Sequence, residues 1–329
     1  MQESNRNIFN HLKIHTQYSI CEGAAKIEDL KNYCKDNKIK SIGLCDTSNL
    51  CGALEFAEKI SKSGTQPIIG TQIKFKIAET IGLLPLFALN ENGYKNIINL
   101  SSLSYLNNDQ LSDPHVEFSK LLSNSKGVAV FSGSVFGLFG QLFNKGKFTE
   151  IHDLYSETKK IFGDRFYIEI QRHKDQNEIN FEKFNLTKSL DLEIPIIATN
   201  EVFYLNKDMH EAHDALICIG NKTYVNDKNR LRLSDQHYFK ENSEMSELFA
   251  DLPEALENNY NFPLRCSFKP LFSNPVLPNI SSDNEGNADD VLKKDSLDGL
   301  KDKFNKVFGI EDDKLEKNKN YLKYKLRLD

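Results

Sequence analysis

Short β-type runs alternate with amphipathic helical stretches along most of this 329-residue chain, and that alternation constrains the fold more than any other feature. Residues 9–14, 39–45, 66–75, 81–89, 127–132, 165–171 and 194–199 read as strands. Between them lie helical patterns. Ile27, Leu30 and Cys34 recur at helical spacing within 26–37, and Leu54, Ala57 and Ile60 share a face within 52–63. Further helices are predicted after the Asn90-Glu-Asn-Gly93 turn through Tyr105, and over 117–123, 136–143, 149–162, 178–190 and 210–219, with a polar loop over 107–114. Strands separated by helices pair mostly in parallel through right-handed crossovers. About seven such units favour a closed or nearly closed α/β barrel over an open sheet.

In such barrels chemistry sits at the carboxyl ends of the strands. Polar residues gather at the predicted ends here: His15, Asp46, Gln72, Ser132, His173 and Asn200-Glu201. Lys13 and His15 alternate along the first strand and so face the same way. An imidazole and a carboxylate on neighbouring strand ends are the start of a metal site, but Lys13 and Thr47 stand where further ligands would be useful. His15 with Asp46 therefore reads first as a hydrogen-bonded pair stiffening two strand ends, and Lys13 as a cation able to pair with Asp46. His173 reads as a surface residue. His210 and His213 share a helix face, with interface or capping roles expected. Gly133 and Gly137 read as tight-turn residues, Cys45, Cys51 and Cys218 as core, and Arg230-Leu-Arg232 as a solvated basic loop.

Charged residues make up 27% of the chain with a formal net charge of -5, so the chain as a whole is not a basic nucleic-acid surface. Any DNA contact would be local or supplied by another part of a larger protein. Residues 1–7 are polar with no apolar signal region behind them, and no apolar run reaches membrane length. Six cysteines without a C-x-x-C pair suit reduced thiols in a cytoplasmic protein. After Pro263 the character changes. Pro270, Pro275 and Pro278 lead into Ser-Ser-Asp-Asn-Glu-Gly, a linker, and charged helical patterns follow over 291–304 and 314–328. The last pattern carries no stop signal, which reads as a chain cut from something longer.

Six motifs carry a family resemblance: His11-Leu-x-x-His15-Thr-x-Tyr-Ser19, Asp46-x-x-Asn49-Leu-x-Gly-Ala-x-Glu55-Phe56, Pro67-Ile-Ile-Gly70, Ser132-Gly133, Ile197-Ala-Thr-Asn200-Glu-Val202 and Leu248-Phe-Ala-Asp-Leu-Pro-Glu-Ala-Leu256. With them, nearly the whole chain resembles the amino-terminal region of bacterial replicative DNA polymerase III alpha subunits, which carries a polymerase-and-histidinol-phosphatase (PHP) domain. The resemblance implies a distorted (β/α)7 barrel over residues 1–265, a linker over 266–288, and the helical start of the polymerase thumb and palm region over 289–329.

Active PHP domains hold up to three metal ions for phosphoester hydrolysis. Against that pattern Lys13 stands at the first histidine of a His-x-His. Thr47 stands for a histidine, Gln72 for a glutamate, Ser134 for a frequent cysteine and Phe203 for a late histidine. His15 and Asp46 match, Glu22 fits an acidic position, Glu201 stands for an aspartate, and His115 and His173 are weaker candidates. The resemblance thus implies a degenerate remnant with no metal and no catalytic residue in this segment. Its implied role is a structural platform for the polymerase and a docking site for the proofreading exonuclease subunit, epsilon. The parent would use Mg2+ in its palm domain, act within the rest of the holoenzyme and reach primer-template DNA through downstream domains. Asp289-Asp290 and Asp312-Asp313 are poor candidates for palm aspartates, since they fall in linker or helix contexts. The competing readings are a stand-alone metal-dependent phosphoesterase or pyrophosphatase, and residual 3′-5′ proofreading. Lys13, Thr47, Gln72 and Phe203 count against both.

Overall fold

A computed structural model describes residues 8–106, 113–275 and 287–327. Residues 107–112 of the loop expected over 107–114, the core of the expected linker at 276–286, the amino-terminal seven residues, Leu328 and Asp329 lie outside the described residues. The chain divides into two compact units, Met1–Phe272 and Ser273–Asp329.

The first unit alternates as the pattern predicts. In chain order it runs β1 (Lys13–Ile14), α1 (Ile27–Asp36), β2 (Ser41–Thr47), α2 (Ala53–Lys62), β3 (Gln66–Ile77), β4 (Thr80–Ala88), α3 (Glu91–Leu106), β5 (Val116–Glu117) and α4 (Phe118–Ser123). It continues with β6 (Val128–Phe131), α5 (Leu138–Asn144), α6 (Phe148–Phe162), β7 (Phe166–Ile170), α7 (Gln176–Leu192), β8 (Ile196–Ala198), β9 (Glu201–Val202), α8 (His210–Gly220), α9 (Asn242–Leu248) and α10 (Pro253–Asn261). The first strand is shorter than expected, with only Lys13–Ile14 in the ladder.

The strands hydrogen-bond in the order β8-β7-β6-β4-β3-β2-β1-β9, with β5 added to β3. The two ends of that path, β8 and β9, are separated in sequence only by Thr199 and Asn200. One bent segment thus pairs β7 with its first half and β1 with its second, and the sheet curls back on itself. Pairing is parallel except around β4, which is antiparallel to both β3 and β6. The reason is local: β3 and β4 have no helix between them and form a hairpin turned at Ala78, where φ is 48°. Gly43 lets β1 lie close on β2, since a Cβ there would stand 2.3 Å from the Leu12 carbonyl oxygen.

Cys45, Ile68, Phe87, Phe131, Tyr167 and Ile197 come from six different strands, yet they form one buried cluster with Phe262. Convergence from consecutive strands marks the inside of the curled sheet. Phe262, just beyond α10, packs edge-on to Phe87 and Phe131 at 5.5 and 5.1 Å. Because side chains on one face recur every second residue, Thr47 and Glu169 stand one layer beyond Cys45 and Tyr167, and Gln72 stands two steps beyond Ile68. An apolar layer therefore floors a polar one. A separate, larger cluster fills the space between the outer face of the sheet and helices α3 to α7.

Asn259 of α10 stitches this interior together. Its Oδ1 accepts the Asn10 backbone N–H at 2.8 Å, and its Nδ2 donates to the carbonyls of Asn10 and Ala198 at 2.9 and 3.0 Å. The Leu248–Leu256 motif thus builds the helices that carry Asn259 and Phe262 under the barrel. Cys266 and Ser267 also belong to this unit: the Cys266 carbonyl accepts from Gln66, and the Ser267 N–H donates to the Leu89 carbonyl.

The second unit contains α11 (Ala288–Phe308), α12 (Asp312–Leu315) and α13 (Lys319–Lys325), with Phe304, Leu315 and Tyr321 as its buried cluster. The single helix expected over 314–328 is broken in two. Asn318 caps α13 by accepting the N–H groups of Asn320 and Tyr321, and an N-cap residue leaves the helical path. No described helix is long and apolar enough to cross a membrane.

Candidate functional site

Strand ends converge on a cavity of about 330 Å3. Its walls include His15, Glu22, Thr47, Gln72, Ser134, Glu201 and Phe203. Lys13 and Asp46, also singled out from sequence, are buried but do not line it. His115 lies outside it, with Nδ1 on the Asp113 carbonyl at 2.7 Å.

Lys13 is fully buried, and its ammonium lies 3.3 Å from Glu169 and 3.4 Å from Glu201. The expected pairing with Asp46 does not form. β1 is parallel to β9 with Lys13 opposite Glu201, and this register carries the lysine across to the glutamates. Glu169 Oε1 also accepts from Thr199 Oγ1 and from Gln171 Nε2. Burial by itself would lower the Lys13 pKa and raise that of Glu201. The two carboxylates outweigh it for Lys13, which is pushed up to about 12. For Glu201, Lys13 and His15 outweigh burial and hold the carboxyl well below its usual range.

Asp46 turns the other way. Its carboxylate accepts from the Thr16 N–H at 2.7 Å, the Thr16 hydroxyl at 2.8 Å and the Ser19 hydroxyl at 2.7 Å. Burial still raises its pKa against these bonds. The expected His15–Asp46 bond is likewise indirect. His15 Nε2 lies 3.1 Å from Glu201 and 3.0 Å from Gln72, while Nδ1 lies 3.4 Å from both Ser19 Oγ and Thr47 Oγ1. Ser19 bridges the imidazole to Asp46. Phe203 stacks on His15 at 4.5 Å and on His213 at 5.3 Å, so an aromatic ring stands between two imidazoles.

Several residues that sequence reasoning set aside are built into this region. His173 is buried, not on the surface: Nε2 accepts the Glu201 N–H at 3.1 Å, and Nδ1 donates to Glu178 at 2.9 Å. That pair of bonds fixes the neutral tautomer, and burial pushes its pKa down to about 3. Its ring stacks on His237 at 4.1 Å with planes 6° apart. Below the ordinary histidine value of 6.5 the unfolded chain takes up this proton and the folded one does not, so stability is lost as pH falls from 6.5 toward 3. A His173→Gln variant should show a shallower loss of stability between about pH 6 and about pH 4, by about 1.4 kcal/mol per pH unit. Urea unfolding across that range measures it; parallel profiles for the two proteins would refute it.

His210 and His213 latch two loops to α8, donating to the Leu233 and Glu22 carbonyls at 3.1 and 2.7 Å. Arg230 is not a solvated basic spot either. It forms a two-pronged ion pair with Asp214, both contacts 2.6 Å, and so holds the loop after α8 against that helix. Gly133 takes the left-handed turn conformation expected of it, with φ of 83°, whereas Gly137 serves close packing, since a Cβ there would stand 2.9 Å from the Leu83 carbonyl oxygen. Cys45 and Cys218 are buried as expected, but Cys51 is exposed at the start of α2. Glu169 and His237 escaped sequence reading. Glu169 had one signal, an acid inside the apolar run Phe166-Tyr-Ile-Glu-Ile170, whereas His237 lies in irregular chain with no periodicity to place it.

Among the described residues, no three His, Cys, Asp or Glu side chains converge so as to hold a metal ion. The donor set agrees with that: an ammonium contacts both glutamates, a phenyl ring covers His15, and Asp46 is taken up by Thr16 and Ser19. The groups present do not fit a divalent cation.

Residues 11–173 match the family model of the PHP domain. The alpha subunit of DNA polymerase III from Caulobacter vibrioides is 35% identical over 312 residues, covering 92% of this chain and 27% of that protein. This chain carries a PHP domain of the DNA polymerase III alpha type. The alpha subunits of Rickettsia conorii and Borreliella burgdorferi are each 36% identical, over 89% and 90% of this chain and 25% and 27% of their own lengths. The chain therefore spans about a quarter of the length of the curated relatives it matches. The PHP match begins at His11 and ends at His173, taking in β1 to β7 but not β8, β9 and α10, which complete the barrel.

Proposed function

We propose that this segment is a degenerate PHP domain. It works as a structural platform in a DNA polymerase III alpha subunit and carries no hydrolytic activity of its own. The observation that carries the reading is the buried Lys13 ammonium between Glu169 and Glu201, a side-chain cation that cannot coordinate and activate water, where a hydrolytic site would need a metal ion that can. The parent would transfer deoxynucleotides to a primer 3′ end in the cytoplasm, using Mg2+ held by downstream palm residues, in company with the other holoenzyme subunits. The barrel and the residues following it, through the second unit, would form the junction to those domains.

The test is elemental analysis of the purified chain after dialysis against trace zinc and manganese. Less than about a tenth of an equivalent is expected; one or more tightly held ions would overturn the inert-platform reading. The platform also offers a surface to the proofreading exonuclease subunit. Exposed Ile20 and Phe136 at the cavity mouth, 81% and 50% accessible, suit a partner's apolar side chains. Binding to the cognate exonuclease is expected at micromolar concentration or tighter in calorimetry. Its absence would remove the docking role and leave the platform reading standing.

A further inference from the structure

A second, much smaller cavity lies against the carboxyl half of β7 and the middle of α7. Glu169, Gln171 and Asn185 all line it. Each is at least nine-tenths buried, with 2%, 7% and 0% of its surface accessible. Each also keeps one side-chain atom without a hydrogen-bond partner among the described residues: Glu169 Oε2, Gln171 Oε1 and Asn185 Nδ2.

The opposite atom of each group is pinned, which fixes how the free one is presented. Glu169 Oε1 is engaged by Lys13, Thr199 and Gln171. Gln171 Nε2 donates to Glu169 Oε1 at 2.9 Å and to Thr199 Oγ1 at 3.2 Å, so its Oε1 is the end left over. Asn185 Oδ1 accepts the Tyr155 hydroxyl at 3.0 Å, so its Nδ2 is left over. Unpaired polar atoms at this depth each cost about 1–3 kcal/mol, and a site with three of them demands an occupant.

We propose that this cavity binds one structural water molecule, which ties α7 to the Lys13 ion cluster. The chemistry selects the occupant. A water donates two hydrogen bonds, which match the two free acceptors on Glu169 and Gln171, and accepts one, which matches the free Asn185 donor. A monovalent cation would meet the Asn185 N–H head-on, and an anion would meet the Glu169 carboxylate. Size agrees: the space open to the centre of a water-sized sphere is about 10 Å3, room for a single molecule. The bound water completes the hydrogen bonding of Glu169, so the carboxylate that neutralises Lys13 is braced from the helix side as well as from β7.

The experiment is a crystal structure of the chain at about 1.5 Å resolution, grown in rubidium in place of sodium. The expected result is one fully occupied peak within hydrogen-bonding distance of all three free atoms, with no anomalous signal at the rubidium edge. A rubidium signal there would replace the water with a cation and overturn the proposal. A dry cavity, or amides turned to pair with each other, would overturn it too. Oxygen-17 relaxation dispersion on the same protein supplies the solution check. The signal of one long-lived internal water should be present in the wild type and lost in Asn185→Leu, which removes the donor. A variant unchanged in this signal would count against the site.

Discussion

Replacing Lys13 by alanine should cost about 3–5 kcal/mol of stability at neutral pH, because it leaves Glu169 and Glu201 buried beside each other without their cation. For a unit of this size that corresponds to a fall in Tm of roughly 10 °C. The deficit should also depend on pH. In the wild type, Glu201 is held below its ordinary value of 4.5, so its contribution is complete above 4.5 and is lost as pH falls through the depressed value. Lys13 is raised from 10.5 to about 12, so its contribution is complete below 10.5 and is lost as pH rises through about 12. Without Lys13, Glu201 is left with burial, which favours the protonated form, and acid relieves the variant. Thermal melts at about pH 7.5 and about pH 5 should show the gap between the two proteins narrowing in acid. A constant gap would mean that Glu201 is not charged as described. The triple change Lys13→Met, Glu169→Gln, Glu201→Gln removes all three charges together and should be far less costly than the single one, since a buried ion cluster is weak evidence of net stabilisation.

The second large effect is expected at Asn259, far from any proposed chemistry. Asn259→Leu keeps the volume but strips partners from the Asn10 N–H, the Asn10 carbonyl and the Ala198 carbonyl, all buried. At about 1–3 kcal/mol for each orphaned group, partly recovered by relaxation, the loss should be about 3–5 kcal/mol in urea unfolding. A loss under about 1 kcal/mol would show that the amino-terminal segment is held mainly by its apolar contacts.

The alternation of strand and helix was enough to reach an α/β barrel, because period-2 and period-3.6 patterns are properties of local sequence. The hairpin at Ala78 and the break at Asn318 were harder to see. Each depends on one residue's backbone conformation rather than on a pattern. In the site, His15, Gln72, Glu201 and Phe203 were found because they end strands or sit in recognisable motifs, and the fold does bring them to one cavity. Their partners were misjudged. Lys13 and Asp46 belong to neighbouring strand ends and so read as a pair, whereas barrel closure brings Lys13 to Glu169 and Glu201. Sequence proximity favours near pairs, and a curled sheet rewards distant ones. His173 looked like a surface residue among Gln171, Arg172 and Lys174, but Arg172 is drawn off to Glu182 and Asp251, and the imidazole turns inward.

The bent segment from β8 to β9 gives the charge cluster a topological meaning. Glu169 belongs to the strand paired with its first half, Lys13 to the strand paired with its second half, and Glu201 to the segment itself. The three charges therefore meet only at the seam where the sheet becomes a ring. Parting that seam separates the ammonium from one glutamate or both and admits water to each. Closing the ring and pairing its buried charges are therefore coupled, so that opening the seam exposes the ion cluster as well as the strand edges.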